Sequence, residues 1–230
     1  MKNELDNIDE KGLIFWEKSY RMAGNGSLWG NNHVPFIETI AERFVASHFQ
    51  KIIDVPCGEG RNLVYLAKCL TTIVGLDASA KALANLNQRL AQERIDNCIL
   101  MKGNIFKLPF NAEQFDAVLC WDVLGHLRKV DFAIRELMRI CKSGGLVVGS
   151  LFALEDPTRG YEMRDFGNGE YLYKDNCYFR FFSKNDVREL LAFSGATKHE
   201  IEPVTWKEGA HIGYREYEHE HKSWCFTITK

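Results

Sequence analysis

The chain of 230 residues contains only five prolines, and no apolar run approaches the roughly 18–20 residues that a membrane-spanning helix needs. No membrane partner is therefore expected. The opening segment, MKNELDNIDEKG, is polar and acidic, unlike a secretory signal. Neither sign of charge dominates: 29 Lys and Arg face 31 Asp and Glu, for a net charge of −2. That balance argues against a nucleic-acid-binding surface. The seven cysteines (Cys57, Cys69, Cys98, Cys120, Cys141, Cys177 and Cys225) are odd in number, widely spaced and without a Cys-x-x-Cys pair. They read as small buried hydrophobes in a reducing compartment, and a cytoplasmic location is expected. No G-x-x-x-x-G-K-[ST] sequence supports an NTP-binding loop, and a full G-x-G-x-x-G is missing too. Internal repeats and low-complexity linkers are absent.

What the chain does have is an alternation of strand and helix signals. KIIDV (51–55), TIVGLD (72–77), CILMKG (98–103), FDAVLCW (115–121) and LVVGSLFAL (146–154) read as strands. Between them, 60–70, 79–93 and 130–142 have helical spacing; Ser79 is placed to cap the second, and Gly144–Gly145 to stop the third. This β-α-β-α rhythm predicts an α/β fold with a doubly wound, mostly parallel sheet and helices on both faces. The composition suits one domain: a cover segment over 1–47, a core over 48–154, an aromatic insertion over 155–180, and a helix and strands over 181–230. Ser183 and Gly195 bound the last helix. Trp224, Phe226 and Ile228 alternate onto one face of the final strand.

Residues 51–62, KIIDVPCGEGRN, run from an apolar strand into a glycine turn and a helix start, the form of a nucleotide-cradling loop. Asp77 ends the second strand 23 positions after Asp54, where an acid can accept hydrogen bonds from both ribose hydroxyls. Pro56 reads as an extended strand-end residue that leaves Gly58 and Gly60 intact.

Taken in series, IIDVPCGEGR, VGLDAS, GNIFKLPF, FDAVLCWDVLGHL and ELMRICKSGGLVVGSLF resemble the class I S-adenosylmethionine-dependent methyltransferases over roughly residues 40–195. The resemblance implies a seven-stranded sheet of order 3-2-1-4-5-7-6 with the last strand antiparallel, and S-adenosyl-L-methionine as cofactor. It implies that Asp54, Cys57, Gly58 and Gly60 approach the methionine end. By the same resemblance Asp77 and Ala78 hold the ribose, Asn104 and Ile105 lie by the adenine, and Cys120 and Trp121 sit beside the sulfonium. The family's usual D-x-G-x-G-x-G differs here by Pro56 in place of its first glycine.

Methyl transfer from a sulfonium mainly requires alignment and exclusion of water, with a base only where a proton must leave. The candidate walls for the acceptor are the segments outside the β-α rhythm. His219 and His221, on one face of a strand expected to begin near Tyr214, and Tyr178 in the insertion are the catalytic candidates. His126 reads as a packing residue. His211, His219 and His221 lack a recognisable ligand spacing, so no metal is expected. The N-P-P-[YF] sequence that the family uses for base N-methylation does not follow the fourth strand, where this chain has CWDV; that argues against nucleic-acid adenine methylation, though not against all macromolecular substrates. The expected activity is methylation of a small molecule. The alternatives are an enzyme that cyclises or cleaves S-adenosylmethionine, and a non-catalytic cofactor-binding subunit. Oligomeric state is not legible.

Overall fold

The apolar runs with β-branched residues form the sheet's centre, because strands buried on both faces need continuous rather than alternating hydrophobicity. In the computed structural model, which describes residues 7–24, 27–211 and 215–230, they become β1 (Lys51–Asp54), β2 (Thr72–Asp77), β3 (Cys98–Lys102), β4 (Phe115–Cys120) and β5 (Cys141–Phe152). These five run parallel to one another, with β3 at the sheet's edge. β9 (His199–Glu208) and β10 (His219–Thr229) complete a seven-stranded sheet of order β3-β2-β1-β4-β5-β10-β9, with β10 antiparallel to both β5 and β9. This is the expected 3-2-1-4-5-7-6 order.

Helices cover both faces. On one, α5 (Val130–Ile140) and α6 (Lys184–Phe193) pack on a core that includes Val118, Cys120, Val147 and Phe226; Trp224 and Ile228 join Phe226 there, as the alternation predicted. On the other, α2 (Phe36–Ala46), α3 (Leu63–Cys69) and α4 (Ala80–Glu93) enclose Ile52, Leu66, Leu86, Leu119 and Cys225. The Ser79 hydroxyl accepts from the Ala82 N–H at 3.0 Å, and Ser183 forms a capping box with Asp186. No two of the seven cysteines are bonded, and five are buried. Among the described residues no helix is long and apolar enough to cross a membrane.

Two boundaries differ from the sequence reading. Gly144–Gly145 does not stop a helix: α5 ends at Ile140 and β5 starts at Cys141. The register jumps from Phe115↔Cys141 to Ala117↔Leu146. The glycines sit in that irregularity, where a Cβ on Gly145 would lie 2.5 Å from the Asp116 carbonyl oxygen. The last strand begins at His219 rather than near Tyr214, a residue that lies outside the described ones.

The insertion forms its own three-stranded antiparallel sheet: β6 (Met163–Gly167), β7 (Glu170–Tyr173) and β8 (Cys177–Arg180). α1 (Ile8–Met22), in the cover segment, packs against β8 and α4. Its Glu17 carboxylate accepts the Ser79 hydroxyl at 2.6 Å and the Lys81 N–H at 3.2 Å, which fastens the cover to the start of α4.

Candidate active site

A cavity of about 990 Å³ opens at the carboxyl ends of β1, β2 and β4, where ligands bind in open α/β sheets. That volume lies at the upper end of the roughly 300–1,000 Å³ typical of ligand pockets.

At the β1–β2 end, the turn after β1 folds back onto Asp77. Oδ2 of Asp77 accepts the Gly58 N–H at 2.8 Å, and Oδ1 accepts the Ser79 N–H at 2.8 Å. Gly58 has φ 53° and lies under α1: a Cβ there would be 3.0 Å from the Tyr20 hydroxyl. Asp54 is 2% and Asp77 7% exposed. Burial first, then the Asp77 charge, pushes the Asp54 carboxyl well above its ordinary range; burial also raises Asp77. Glu59, one residue past Gly58, clamps the cover: it accepts the Leu28 N–H at 2.7 Å and the Asn85 amide at 2.6 Å. Pro56 sits in a turn after β1, through a cis peptide with Val55, rather than in the expected extended strand end.

Of the expected cofactor contacts, Asp54, Cys57, Gly58, Asp77, Ala78, Asn104, Ile105 and Trp121 line this cavity. Gly60 does not: it faces α4, and a Cβ there would lie 2.2 Å from Leu86 Cδ1, so its missing side chain serves helix packing. Cys120 does not either. Successive residues of β4 point to opposite faces, so Cys120 enters the α5 side of the core while Trp121 turns to the cavity. The indole N–H of Trp121, a residue that lines the cavity, is buried without a hydrogen-bond partner, a donor left unsatisfied beside the cavity. This donor, the glycine approach and the carboxylate at the end of β2 together fit a nucleoside-bearing cofactor.

Beyond Trp121 the wall becomes aromatic. Trp16 and Trp29 come from the cover, Phe152 from β5, Phe179 from β8, and Phe181 follows it. His126 joins them, its ring centroid 4.4 Å from Phe179 and 5.1 Å from both Trp16 and Phe152. Its Nδ1 donates to the Tyr178 carbonyl at 2.9 Å, and burial pulls its pKa down to about 4, so the ring is neutral near pH 7. The sequence reading saw only packing in His126. Its signal, a histidine two residues past the apolar VL of 123–124, does not distinguish a cavity wall from a core.

The remaining side is polar. Arg61, Asp122, Glu208 and His221 line it, and none of the first three stood out in the sequence. Arg61 bonds Glu208 Oε1 at 2.5 Å. Burial raises Asp122 to about 6, whereas Glu208 is held far below its ordinary range by His211 and Arg61, which outweigh its burial. His221 reaches the cavity, and its Nδ1 lies 3.2 Å from the buried Asp156 carboxylate. His219, on the same strand face, sits behind it and does not line the cavity. Tyr178 is not brought to the site. On β8 it points opposite to Phe179, packs with Ile8 and Leu172, and donates to Glu170 at 2.6 Å.

Residues 53–149 match a family described as "Methyltransferase domain". An uncharacterized methyltransferase of Schizosaccharomyces pombe is 35% identical over 42% of this chain, a match spanning 38% of that protein. A demethylmenaquinone methyltransferase of Staphylococcus carnosus is 26% identical over 73% of this chain and 77% of its own length. The fold is shared with a crystal structure described as a SAM-dependent methyltransferase, possible histamine N-methyltransferase, from Thermotoga maritima. There the TM-score is 0.57 at 18% identity, with both chains fully covered.

Proposed function

We propose that this chain, a class I S-adenosylmethionine-dependent methyltransferase with S-adenosyl-L-methionine as cofactor, methylates a small, ring-bearing acceptor held in the aromatic part of the cavity. One observation carries this reading: the nucleotide end and the aromatic chamber are parts of one cavity, roofed by α1 and β8. The name of the Staphylococcus relative, with its ring-bearing substrate, supports the same acceptor class.

The cofactor supplies a methyl group already activated on a sulfonium. Asp77 and Ala78 are the residues for the ribose, Asn104 and Ile105 for the adenine side, and Asp54, Cys57 and Gly58 for the amino-acid end. The Trp121 N–H, unpartnered in the structure, would be satisfied by donating to the bound cofactor or acceptor. Neutral aromatic faces of Trp16, Phe152 and Phe179 favour a developing or resident positive charge and exclude water. His221, oriented by Asp156, faces the part of the cavity where the acceptor's polar group would lie, with His219 packed edge-on behind it.

The test incubates the protein with S-adenosylmethionine and a panel of small phenols, quinols, amines and thiols, with products read by mass spectrometry. S-adenosylhomocysteine appearing with a methylated acceptor is the expected result. Methylthioadenosine as the product would point to intramolecular use of the cofactor. Binding without turnover across the panel would point to a non-catalytic subunit.

A further inference from the structure

β9 and β10 pair so that His219 lies directly opposite Glu208, and His221 opposite Trp206. All four side chains lie on one sheet face, because positions two apart on a strand share a face. The two oxygens of Glu208 have different surroundings. Oε1 receives Arg61 at 2.5 Å and the Trp206 indole N–H at 2.7 Å. Oε2 faces imidazole nitrogens: Nε2 of His221 at 3.7 Å and of His219 at 3.9 Å, with Nε2 of His211 at 2.8 Å.

We propose that Glu208 Oε2, His219 Nε2 and His221 Nε2 form a site for one divalent cation of the Zn²⁺ type, with its open side toward the cavity. Three observations carry it. First, one ligand atom from each of the three residues lies within 4.8 Å of those of the other two, and Glu208 Oε2 is 3.9 Å from His219 Nε2 and 3.7 Å from His221 Nε2. Tetrahedral ligands at zinc–nitrogen and zinc–oxygen distances are about 3.4 Å apart, so the two carboxylate–histidine separations close with shifts of some tenths of an ångström, and rotation of the two imidazoles brings in the rest. Second, each histidine's other nitrogen faces an acceptor. His219 Nδ1 lies 2.9 Å from the Tyr217 carbonyl, and His221 Nδ1 lies 3.2 Å from Asp156. Those partners place the hydrogen on Nδ1 and leave the Nε2 lone pair for a metal, the usual outer-shell arrangement of metal-binding histidines. Third, the His219 side chain is 4% exposed, and its Nε2 is buried with no hydrogen-bond partner. A buried nitrogen left bare calls for an occupant.

Two histidines and one carboxylate, with a position left open, suit Zn²⁺ and neighbouring first-row ions. If the methyltransferase reading above holds, the open position would take a hydroxyl or thiol of the acceptor as its anion, the proton passing to solvent. Methylation then turns that ligand into a neutral ether or thioether, which a hard or borderline cation holds weakly, and the product leaves.

The test uses the purified full chain, stripped with a chelator and titrated with Zn²⁺ by calorimetry, then with Co²⁺ by visible absorption. One equivalent of metal and a tetrahedral Co²⁺ spectrum are expected. His219→Ala and His221→Ala should each weaken Zn²⁺ binding at least 10-fold, and Asp156→Asn by about 10–100-fold as an outer-shell partner. Circular dichroism reports whether each variant is folded, and the wild-type titration decides the matter whether or not they are. Absence of saturable Zn²⁺ and Co²⁺ binding by the folded wild type overturns the site, as does undiminished binding by a folded His219→Ala/His221→Ala variant. S-adenosylhomocysteine calorimetry on the same samples separates this question from the activity. Cofactor binding without metal defeats only the metal site. Metal binding without cofactor binding supports the site and defeats the proposed function.

Discussion

At one end of the cavity Asp77 is held by backbone N–H groups 2 and 19 positions away in sequence. At the other, Glu208 is held by the side chains of Arg61 and His211, and His211 in turn lies on the Leu28 carbonyl, 183 positions away. The first end is a loop folding on itself, and its donors are fixed by main-chain geometry. The second exists only where the sheet edge, the cover segment and the turn after β1 meet, and its chemistry is side chain against side chain. The first end therefore depends on backbone geometry and the second on the identity of particular side chains.

The contrast can be broken at several points. The largest effect is expected at the backbone-built end. Asp77→Ala removes a charged acceptor worth about 1.5–3 kcal/mol, so S-adenosylhomocysteine affinity should fall about 10–150-fold by calorimetry. Unchanged affinity would sink the ribose role of Asp77.

At the side-chain-built end, the expected signature is a pH dependence. Burial raises Asp122 from 3.8 to about 6 in the folded state. A raised acid favours folding when protonated, so its contribution is complete below about pH 4 and is lost as pH rises through about 6. Asp122→Asn should thus gain about 2 kcal/mol over wild type above pH 6, after discounting for the partial exposure of the cavity wall, and little at pH 4. Denaturant titrations at both pH values measure this, and a pH-independent difference would be the contrary result. His126 acts with the opposite sign. Its depressed pKa of about 4 makes the fold lose stability as pH falls below 6.5. His126→Phe should therefore flatten the acid limb.

The smallest effect is expected outside both ends. Tyr178→Phe forfeits one hydrogen bond to Glu170 and should cost about 1 kcal/mol in stability with turnover unchanged. A large loss of turnover would return Tyr178 to the site.

The cofactor loop was legible because its signals are local. A strand, a turn needing positive φ at Gly58, and an acid at the end of the next strand follow from residue type and spacing. Spacing does not tell which way a residue faces, and there the expected and observed linings of the cavity differ. Gly60, expected at the ligand, packs against Leu86; of the pair Cys120 and Trp121, both expected beside the sulfonium, only Trp121 lines the cavity. Arg61, Asp122 and Glu208 passed unnoticed, since an isolated charge in a sequence looks the same whether it ends up solvated or buried. His219 and His221 were readable as a pair on one face, but not their partner.

The order of elements, the parallel core of the sheet and the placing of Asp54, Gly58 and Asp77 at strand ends and a tight turn were legible in the sequence, because hydrophobic period and turn chemistry act over a few residues; the antiparallel last strand followed from the family resemblance. Only the tertiary structure decided that His219 meets Glu208, that His221 rather than His219 reaches the cavity, and that Tyr178 turns away. Those outcomes depend on the register of β9 against β10 and on the facing of β8. A slip of one residue would reverse every side chain, and the buried faces that set the register are built by parts of the chain far apart in sequence.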